Sequence, residues 1–160
     1  MKRKISAVMF FLIFLLINTS AKGQDWLSKI HPFETDVSTV IKLLGHNYEK
    51  KGQDEIFYKL KEGNVSIDFS PEKCADTGWG KWNIPPNVVV GMTFYPRNKK
   101  RKPSFYDLPK ENMEHLYDSG EQVFRNNYTG LYYSTYRGKV SSIRYYPGKK
   151  YDSLKCSDTN

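Results

Sequence analysis

Apolar residues between positions 35 and 45 recur at helical spacing. They follow the i, i+3, i+4, i+7 pattern of one buried helix face, namely Val37, Val40, Ile41 and Leu44. Thr35 can cap the start of this segment, and Asp36 in its first turn suits the helix dipole. Gly45 supplies a stop in the left-handed region. The pattern predicts a short helix that ends at Gly45.

Three strand-like runs follow, at positions 56–60, 64–69 and 88–95. In the second run, Val65, Ile67 and Phe69 alternate with polar residues, which is the period of a half-buried strand. Glu62 and Gly63 lie between the first two runs and indicate a tight hairpin turn. We therefore expect neighbouring antiparallel strands joined by a short turn.

The second half of the chain shows a similar order of elements. Pro109 suits the first turn of a helix, and Glu111 suits its dipole. Met113 and Leu116 provide a buried face before a stop at Gly120. These positions predict a second short helix. The strand runs that follow are 122–125, 131–136 and 140–146.

When the sequence is shifted by 75 residues, six positions of its first half match positions of its second half. The matched pairs are Asp36 with Glu111, Ile41 with Leu116, Gly45 with Gly120, Gly63 with Gly138, Val65 with Val140 and Ser66 with Ser141. Each of Gly63 and Gly138 would then occupy a hairpin turn that needs a positive φ. The strands 92–96 and 143–147 are also alike, but at a shift of 51.

The predicted fold class is therefore α+β. It is an antiparallel sheet from two helix-plus-meander units, about 26–96 and 103–147, with two short helices on one face. The alternative is a chance likeness between short aromatic strands, which resemble one another in composition.

The segment 70–87 breaks every periodicity and predicts a long ordered loop. It holds the candidate binding residues Trp79, Trp82 and Ile84, flanked by prolines. In one interpretation they present a rigid aromatic patch to a partner protein, because Trp is enriched at binding hot spots. In the other, both indoles fold back and cover the open face of the sheet.

Residues 1–23 have the pattern of a secretory signal peptide. Three basic residues precede an uncharged apolar run, and Ala21 and Gly23 supply the small residues of a cleavage site. We expect cleavage after Gly23, or alternatively after Ala21. A permanent membrane anchor is the other interpretation, but the apolar run is shorter than the roughly 20 residues of a spanning helix. The expected location is secreted or periplasmic, with residues 24–160 forming a single domain.

Cys74 and Cys156 are the two cysteines of the chain. In an oxidising compartment an even number of cysteines favours a disulfide, so we predict a Cys74–Cys156 bridge. Two free thiols are the alternative. The bridge would tie the end of the chain to the central loop.

The net charge of +8 changes when the signal segment is considered separately. Removal of residues 1–23 takes away four basic residues and lowers the count of Lys and Arg from 25 to 21. Against 17 acidic residues, this leaves a net charge of +4. This is ordinary surface charge, and no nucleic-acid partner is expected. A basic run at 97–102 is dense in Lys and Arg, and it indicates either a contact for an anionic ligand or a solvated linker.

The sequence contains no arrangement typical of catalysis or metal binding. His31, His46 and His115 lack the short spacing of a metal site. There is no Gly-x-Ser-x-Gly elbow and no glycine-rich phosphate loop. We expect no catalytic residue, no metal and no cofactor.

Several residues occur in a characteristic order along the chain: Trp26, Pro32, Leu43-Leu44-Gly45, Cys74, Gly80-Lys81-Trp82-Asn83-Ile84-Pro85, Tyr146-Pro147 and Cys156. This order resembles a family of uncharacterised exported bacterial proteins, and the resemblance covers most of residues 24–160. It implies export and carries no activity. The segment 36–45 more distantly resembles the outer-membrane assembly lipoproteins of the SmpA/OmlA type, and the doubled plan resembles the related β-lactamase-inhibitor-like fold. No cysteine directly follows the apolar run, in contrast to those lipoproteins.

These observations favour a non-catalytic binding or protein-interaction module. Its expected partner is an envelope or extracellular protein, with no stable membrane insertion once the signal is removed. The alternative is a small secreted hydrolase with a cleft between the two repeat units. A cleft with convergent carboxylates and a histidine would favour the hydrolase.

Overall fold

The computed structural model describes residues 25–118 and 120–157, and one antiparallel sheet is the main element of this part of the chain. Within these residues, the α-helix α1 spans Val37–Leu44, and 3₁₀ segments lie at Leu27–Lys29, Pro103–Tyr106 and Lys149–Leu154. The strands are β1 (Glu49–Lys50), β2 (Glu55–Lys59), β3 (Gly63–Phe69), β4 (Asp76–Thr77), β5 (Gly80–Lys81), β6 (Val89–Pro96), β7 (Glu114–Asp118), β8 (Glu121–Asn126), β9 (Leu131–Tyr136) and β10 (Lys139–Tyr145). The predicted strand runs coincide with β2, β3, β6, β8, β9 and β10 to within one residue at each end.

The main sheet has eight strands in the order β1-β2-β3-β6-β10-β9-β8-β7, while β4 and β5 form a separate hairpin. The first half of the chain supplies β1, β2, β3 and β6, and the second half supplies the other four strands. The halves meet at the antiparallel pair β6–β10, where Thr93 lies opposite Arg144. The antiparallel sheet of the predicted α+β fold is confirmed, although strands contribute far more than helices.

The predicted helix around Val37–Leu44 is confirmed, but its cap is one residue later than expected. The side chain of Asp36 accepts a hydrogen bond from the Thr39 amide at 2.7 Å, which makes Asp36 the N-cap. Thr35 is buried instead, and its hydroxyl oxygen accepts from the His31 amide at 2.9 Å. At the other end, Gly45 has φ +88° and donates its amide to the Ile41 carbonyl.

The core lies on the face of the sheet that α1 covers. Cross-strand partners share a face, so the register places Val65 beside Phe94 and Ile67 beside Met92 on this side. Val40 of α1 and the segment before it pack onto these positions, and the ring of Trp26 meets the ring of Phe94 edge-on. The largest fully buried side chains of this layer are Tyr58, Tyr133, Phe94, Ile30, Ile67, Met92 and Ile143.

The predicted second helix is wrong, because residues 114–118 form the edge strand β7. β7 pairs with β8, and Arg125 of β8 makes a bidentate ion pair with Glu114. The ring of His115 stacks on Phe124 at a centroid distance of 4.6 Å. All five β7 residues are exposed. Met113 and Leu116 do not form a buried helix face, because pairing with β8 satisfies the hydrogen bonds of the backbone in the extended conformation.

The two turn glycines are not equivalent, which corrects the 75-residue match. Gly138 has φ +70° and follows Arg137 at φ +51°, the combination of a type I′ hairpin. Gly63 is not among the residues with positive φ. It is the first residue of β3, where a β-carbon would lie 2.6 Å from Cε2 of Phe94. Gly63 is therefore required by close packing, and Gly138 by backbone conformation.

The predicted Cys74–Cys156 disulfide is confirmed, with Cα atoms 5.8 Å apart. The end of the chain runs beside the loop that carries Cys74. The Cys156 amide donates to the Lys81 carbonyl at 3.1 Å, and the Asn83 amide donates to the Leu154 carbonyl at 2.7 Å. The bridge thus closes a contact that backbone hydrogen bonds also support.

The predicted signal peptide at 1–23 and its cleavage site lie outside the described residues. Among the residues that the structure does describe, no helix is long and apolar enough to cross a membrane.

Candidate functional site

The predicted loop at 70–87 contains the small hairpin of β4 and β5 and folds onto the sheet face opposite α1. Trp82 and Ile84 are buried, with 4% and 5% of their surface exposed, in a second cluster with Val90. The ring of Phe33 lies 4.9 Å from that of Trp82. These two candidate binding residues therefore cover the sheet, as in the second interpretation of the loop.

Trp79 differs from its neighbours because it is half-buried and lies above Gly91 of β6. A β-carbon at Gly91 would come within 2.5 Å of Cε2 of the Trp79 ring, so the absence of a side chain makes room for the indole. The indole Nε1–H donates to the Asp68 carboxylate at 2.9 Å. The ring also stacks on Tyr146 of the second half, with centroids 6.2 Å apart and planes 9° from parallel.

Trp79 forms one wall of a cleft with a volume of about 480 Å³. Four carboxylates line this cleft: Asp54, Glu55, Asp68 and Asp76. Among the described residues none of the four takes part in an ion pair. Among the described lining residues, Lys51 is the one cationic side chain, and it lies 3.6 Å from Glu49 outside the cleft. We call this site the acidic cleft.

The sheet register brings two of the carboxylates together. Glu55 of β2 lies directly opposite Asp68 of β3, and the next residue across the sheet from Asp68 is Gly91. The Ser66 hydroxyl donates to the Glu55 carboxylate, which fixes the orientation of that side chain. One row across three strands therefore places two acidic groups beside the space that Trp79 fills.

Burial raises the pKa of the Asp68 carboxyl, because the half-buried charged form is poorly hydrated. The hydrogen bond from Trp79 acts in the opposite direction and lowers this pKa, while the charge of Glu55 raises it. No cationic side chain of the described residues is among the causes of this pKa shift. A cationic group entering the cleft would stabilise the charged form of Asp68, and it would also lie beside the indole of Trp79.

The geometry gives less support to catalysis or metal binding in the acidic cleft. None of the described residues that line it is a histidine, and His31 and His115 make ring contacts with Tyr145 and Phe124 elsewhere. Within 25–118 and 120–157, no group of three or more His, Cys, Asp or Glu side chains is placed to hold a metal ion. The lining residues all come from positions 51–90, so the cleft does not lie between the two halves.

Comparison of the chain with protein-family models, with curated proteins and with solved structures finds no significant match.

Sequence reasoning identified Trp79 and missed the carboxylates beside it. Asp68 alternates with buried Ile67 and Phe69, which places it on the other face of β3. That alternation was visible in the sequence. The return of the 70–87 loop over this face was not, because it depends on the disulfide and on contacts with the end of the chain.

Proposed function

We propose that this chain is an exported, non-catalytic binding module whose acidic cleft receives a Lys or Arg side chain of a partner protein. The observation that carries the proposal is the set of four carboxylates without a paired cation, beside the half-buried Trp79. The expected partner is an envelope or extracellular protein. The role requires no cofactor.

The chemistry of the cleft favours a cationic side chain over an uncharged one. Asp68 and Glu55 offer acceptor oxygens for charge-assisted hydrogen bonds. The indole of Trp79 is held by its bond to Asp68 and by the ring of Tyr146, so little ordering is needed on binding. A volume of about 480 Å³ lies in the lower half of the range for ligand pockets and suits one or two side chains.

Export is supported by two independent features. The predicted signal peptide at 1–23 would direct the chain out of the cytoplasm. The Cys74–Cys156 disulfide would persist in an oxidising compartment, whereas cytosolic thiols are kept reduced. A secreted or periplasmic location fits both.

The two meanders would, in this proposal, be two copies of one unit joined at the sheet centre. The pairing of β6 with β10 supports a symmetric junction, because Met92 lies opposite Tyr145 and Phe94 lies opposite Ile143. Those positions correspond at the shift of 51 residues, not at 75. The unit would then contain four strands, without a second helix.

The hydrolase alternative receives weaker support. A raised pKa at Asp68 next to Glu55 is a feature that acid–base pairs share. The cleft is not between the two halves, however, and its lining lacks a histidine. We therefore place binding first.

A nuclear magnetic resonance titration tests the proposal. The disulfide-bonded protein is titrated with acetyl-Gly-Lys-Gly-amide and, as an uncharged match, with the same peptide carrying norleucine. We expect the Trp79 indole N–H signal to shift with the lysine peptide only. Asp68→Asn should weaken this binding at least ~10-fold, because a hydrogen bond between charged groups is lost.

Glu111→Gln is the matched control, since it removes one exposed carboxylate outside the acidic cleft. Gly91→Ala provides a second test, because it leaves every carboxylate in place but displaces the indole. It should weaken binding without any change in net charge. Equal shifts with the norleucine peptide, or an equal loss in Glu111→Gln, would contradict the proposal.

A further inference from the structure

A second groove lies at the end of the sheet opposite the acidic cleft. It forms where the turn before β3, the segment after β6 and the start of β10 come together. The Arg97 amide donates to the Glu62 carbonyl at 2.8 Å, and the Val140 amide donates to the Arg101 carbonyl at 2.9 Å. The groove has a volume of about 660 Å³, and the side chains that matter here are Lys61, Arg97, Lys99, Lys100, Arg101 and Phe105. We call it the basic groove.

Five of these six side chains are cationic, and Glu62 is the one carboxylate among the lining residues that the structure describes. In the described part of the chain, none of the five cations forms an ion pair. Like charges gathered in this way repel one another and attract a counter-ion. The basic groove therefore selects for a negatively charged ligand.

Two of the cations are held in position by the protein. The Arg97 guanidinium donates from Nη2 to the Leu60 carbonyl at 3.1 Å. The guanidinium of Arg101 lies 4.2 Å from the centroid of the Phe105 ring. Their side chains lose less conformational freedom on binding than free ones would.

The apolar component of the basic groove is also exposed. Phe105 keeps 47% of its surface accessible, although it stands in a 3₁₀ segment whose next residue, Tyr106, is buried. An exposed aromatic ring among cationic side chains is typical of protein surfaces that lie at a membrane interface. A small soluble anion would gain nothing from this ring.

We propose that the basic groove docks the protein reversibly on a membrane surface rich in anionic phospholipids. The cations contact lipid phosphates, and the Phe105 ring enters the interfacial layer. The cationic side chains stand on exposed turns at one end of the sheet, so several can reach a flat surface together. This attachment is peripheral, and it is independent of the acidic cleft, which stays open at the other end.

Flotation with lipid vesicles tests the inference on the disulfide-bonded protein. One set of vesicles contains phosphatidylcholine alone, and the other contains about one third phosphatidylglycerol. We expect binding to the anionic vesicles only, weakened at least about tenfold when salt rises from about 0.1 M to about 0.5 M, because salt screens the charges.

The variant Lys99→Gln/Lys100→Gln should lower partitioning about 25-fold, since each charge near such a surface contributes about fivefold. The control Lys42→Gln/Lys73→Gln removes the same charge from exposed lysines outside the basic groove and should have little effect. Phe105→Ser should weaken binding about fivefold at every salt concentration, because it removes apolar contact and no charge.

Three outcomes would overturn the inference. One is equal flotation with both kinds of vesicle. Another is an equal loss in the Lys42→Gln/Lys73→Gln control. The third is full competition by millimolar glycerol phosphate, which would show that a free phosphate ester, not a membrane, occupies the groove.

Discussion

The two ends of strand β3 place opposite charges on the same sheet by different means. At its C-terminal end, Asp68 joins three other carboxylates under a folded loop. At its N-terminal end, the turn before Gly63 joins a basic segment whose side chains remain in water. The charges of the acidic cleft are thus brought together by packing, while those of the basic groove are brought together by turns.

This difference has consequences for how each end responds to change. The acidic cleft depends on the position of Trp79, which long-range contacts determine. Ligand binding in the basic groove depends on the number of cationic side chains, and salt weakens it because it screens their charges. Loss of the disulfide should therefore affect the first end most, and a change of salt concentration the second.

Removal of the disulfide should produce the largest effect. Cys74→Ser/Cys156→Ser opens a covalent link between residues 82 positions apart. In the chain-entropy model this costs about 4–5 kcal/mol of unfolding free energy. Urea denaturation of the variant and of the wild-type protein measures the loss.

Hydrogen exchange on the same variant would sharpen the comparison. We expect faster exchange at the amide of position 74, which is a serine in this variant, and at the Asn83 amide than at the Arg97 amide, because the partners of the first two lie within the bridged segment. Equal acceleration at both ends would show that the disulfide does not stabilise the cleft end selectively.

Substitution by alanine should lower the free energy of unfolding more at Gly63, at the basic-groove end of β3, than at Gly138. Gly63→Ala introduces a β-carbon 2.6 Å from the Phe94 ring, so the core must shift, at about 2–3 kcal/mol. Gly138→Ala meets no atom within 4 Å and bears only the strain of φ +70°, about 1 kcal/mol. Thermal denaturation of both variants would distinguish the two values. Equal losses would restore the equivalence that the 75-residue shift predicts.

Most of the sheet could be predicted from local pattern. The alternation in β3 and the turn at Gly138 were visible because side chains on a strand take opposite faces and a type I′ turn needs positive φ. The second helix was not predictable in this way. Met113 and Leu116 fit a helix face, but pairing of β7 with β8 is a contact between segments that no local pattern reports.

The candidate site was predictable only in part for the same reason. Aromatic composition marked Trp79, and alternation placed Asp68 on a polar face. Their hydrogen bond joins residues 11 positions apart and requires the bare backbone of Gly91 on the next strand. The joint position of Trp79, Asp68 and Gly91 is a property of the tertiary structure.

The smallest predicted effect concerns the charge of Asp68 and its dependence on pH. Because burial raises the pKa of this carboxyl, the folded protein binds its proton more tightly than the unfolded chain does. Stability contributed by the proton is present below the ordinary pKa of 3.8 and is lost as pH rises through the raised value. Asp68→Asn keeps an oxygen that can accept the Trp79 hydrogen bond and removes the charge. Its melting temperature should therefore match that of the wild-type protein at low pH and exceed it at pH 7. Solvent reaches this half-buried group, so the gain should stay below ~1 kcal/mol, or about 2–4 °C.

Asp76→Asn, on the exposed rim of the same cleft, controls for the loss of one negative charge. If Asp68→Asn were less stable than the wild-type protein at pH 7, the carboxylate would have to be stabilised in the free protein, and the cleft would not need a cationic ligand to offset its charge.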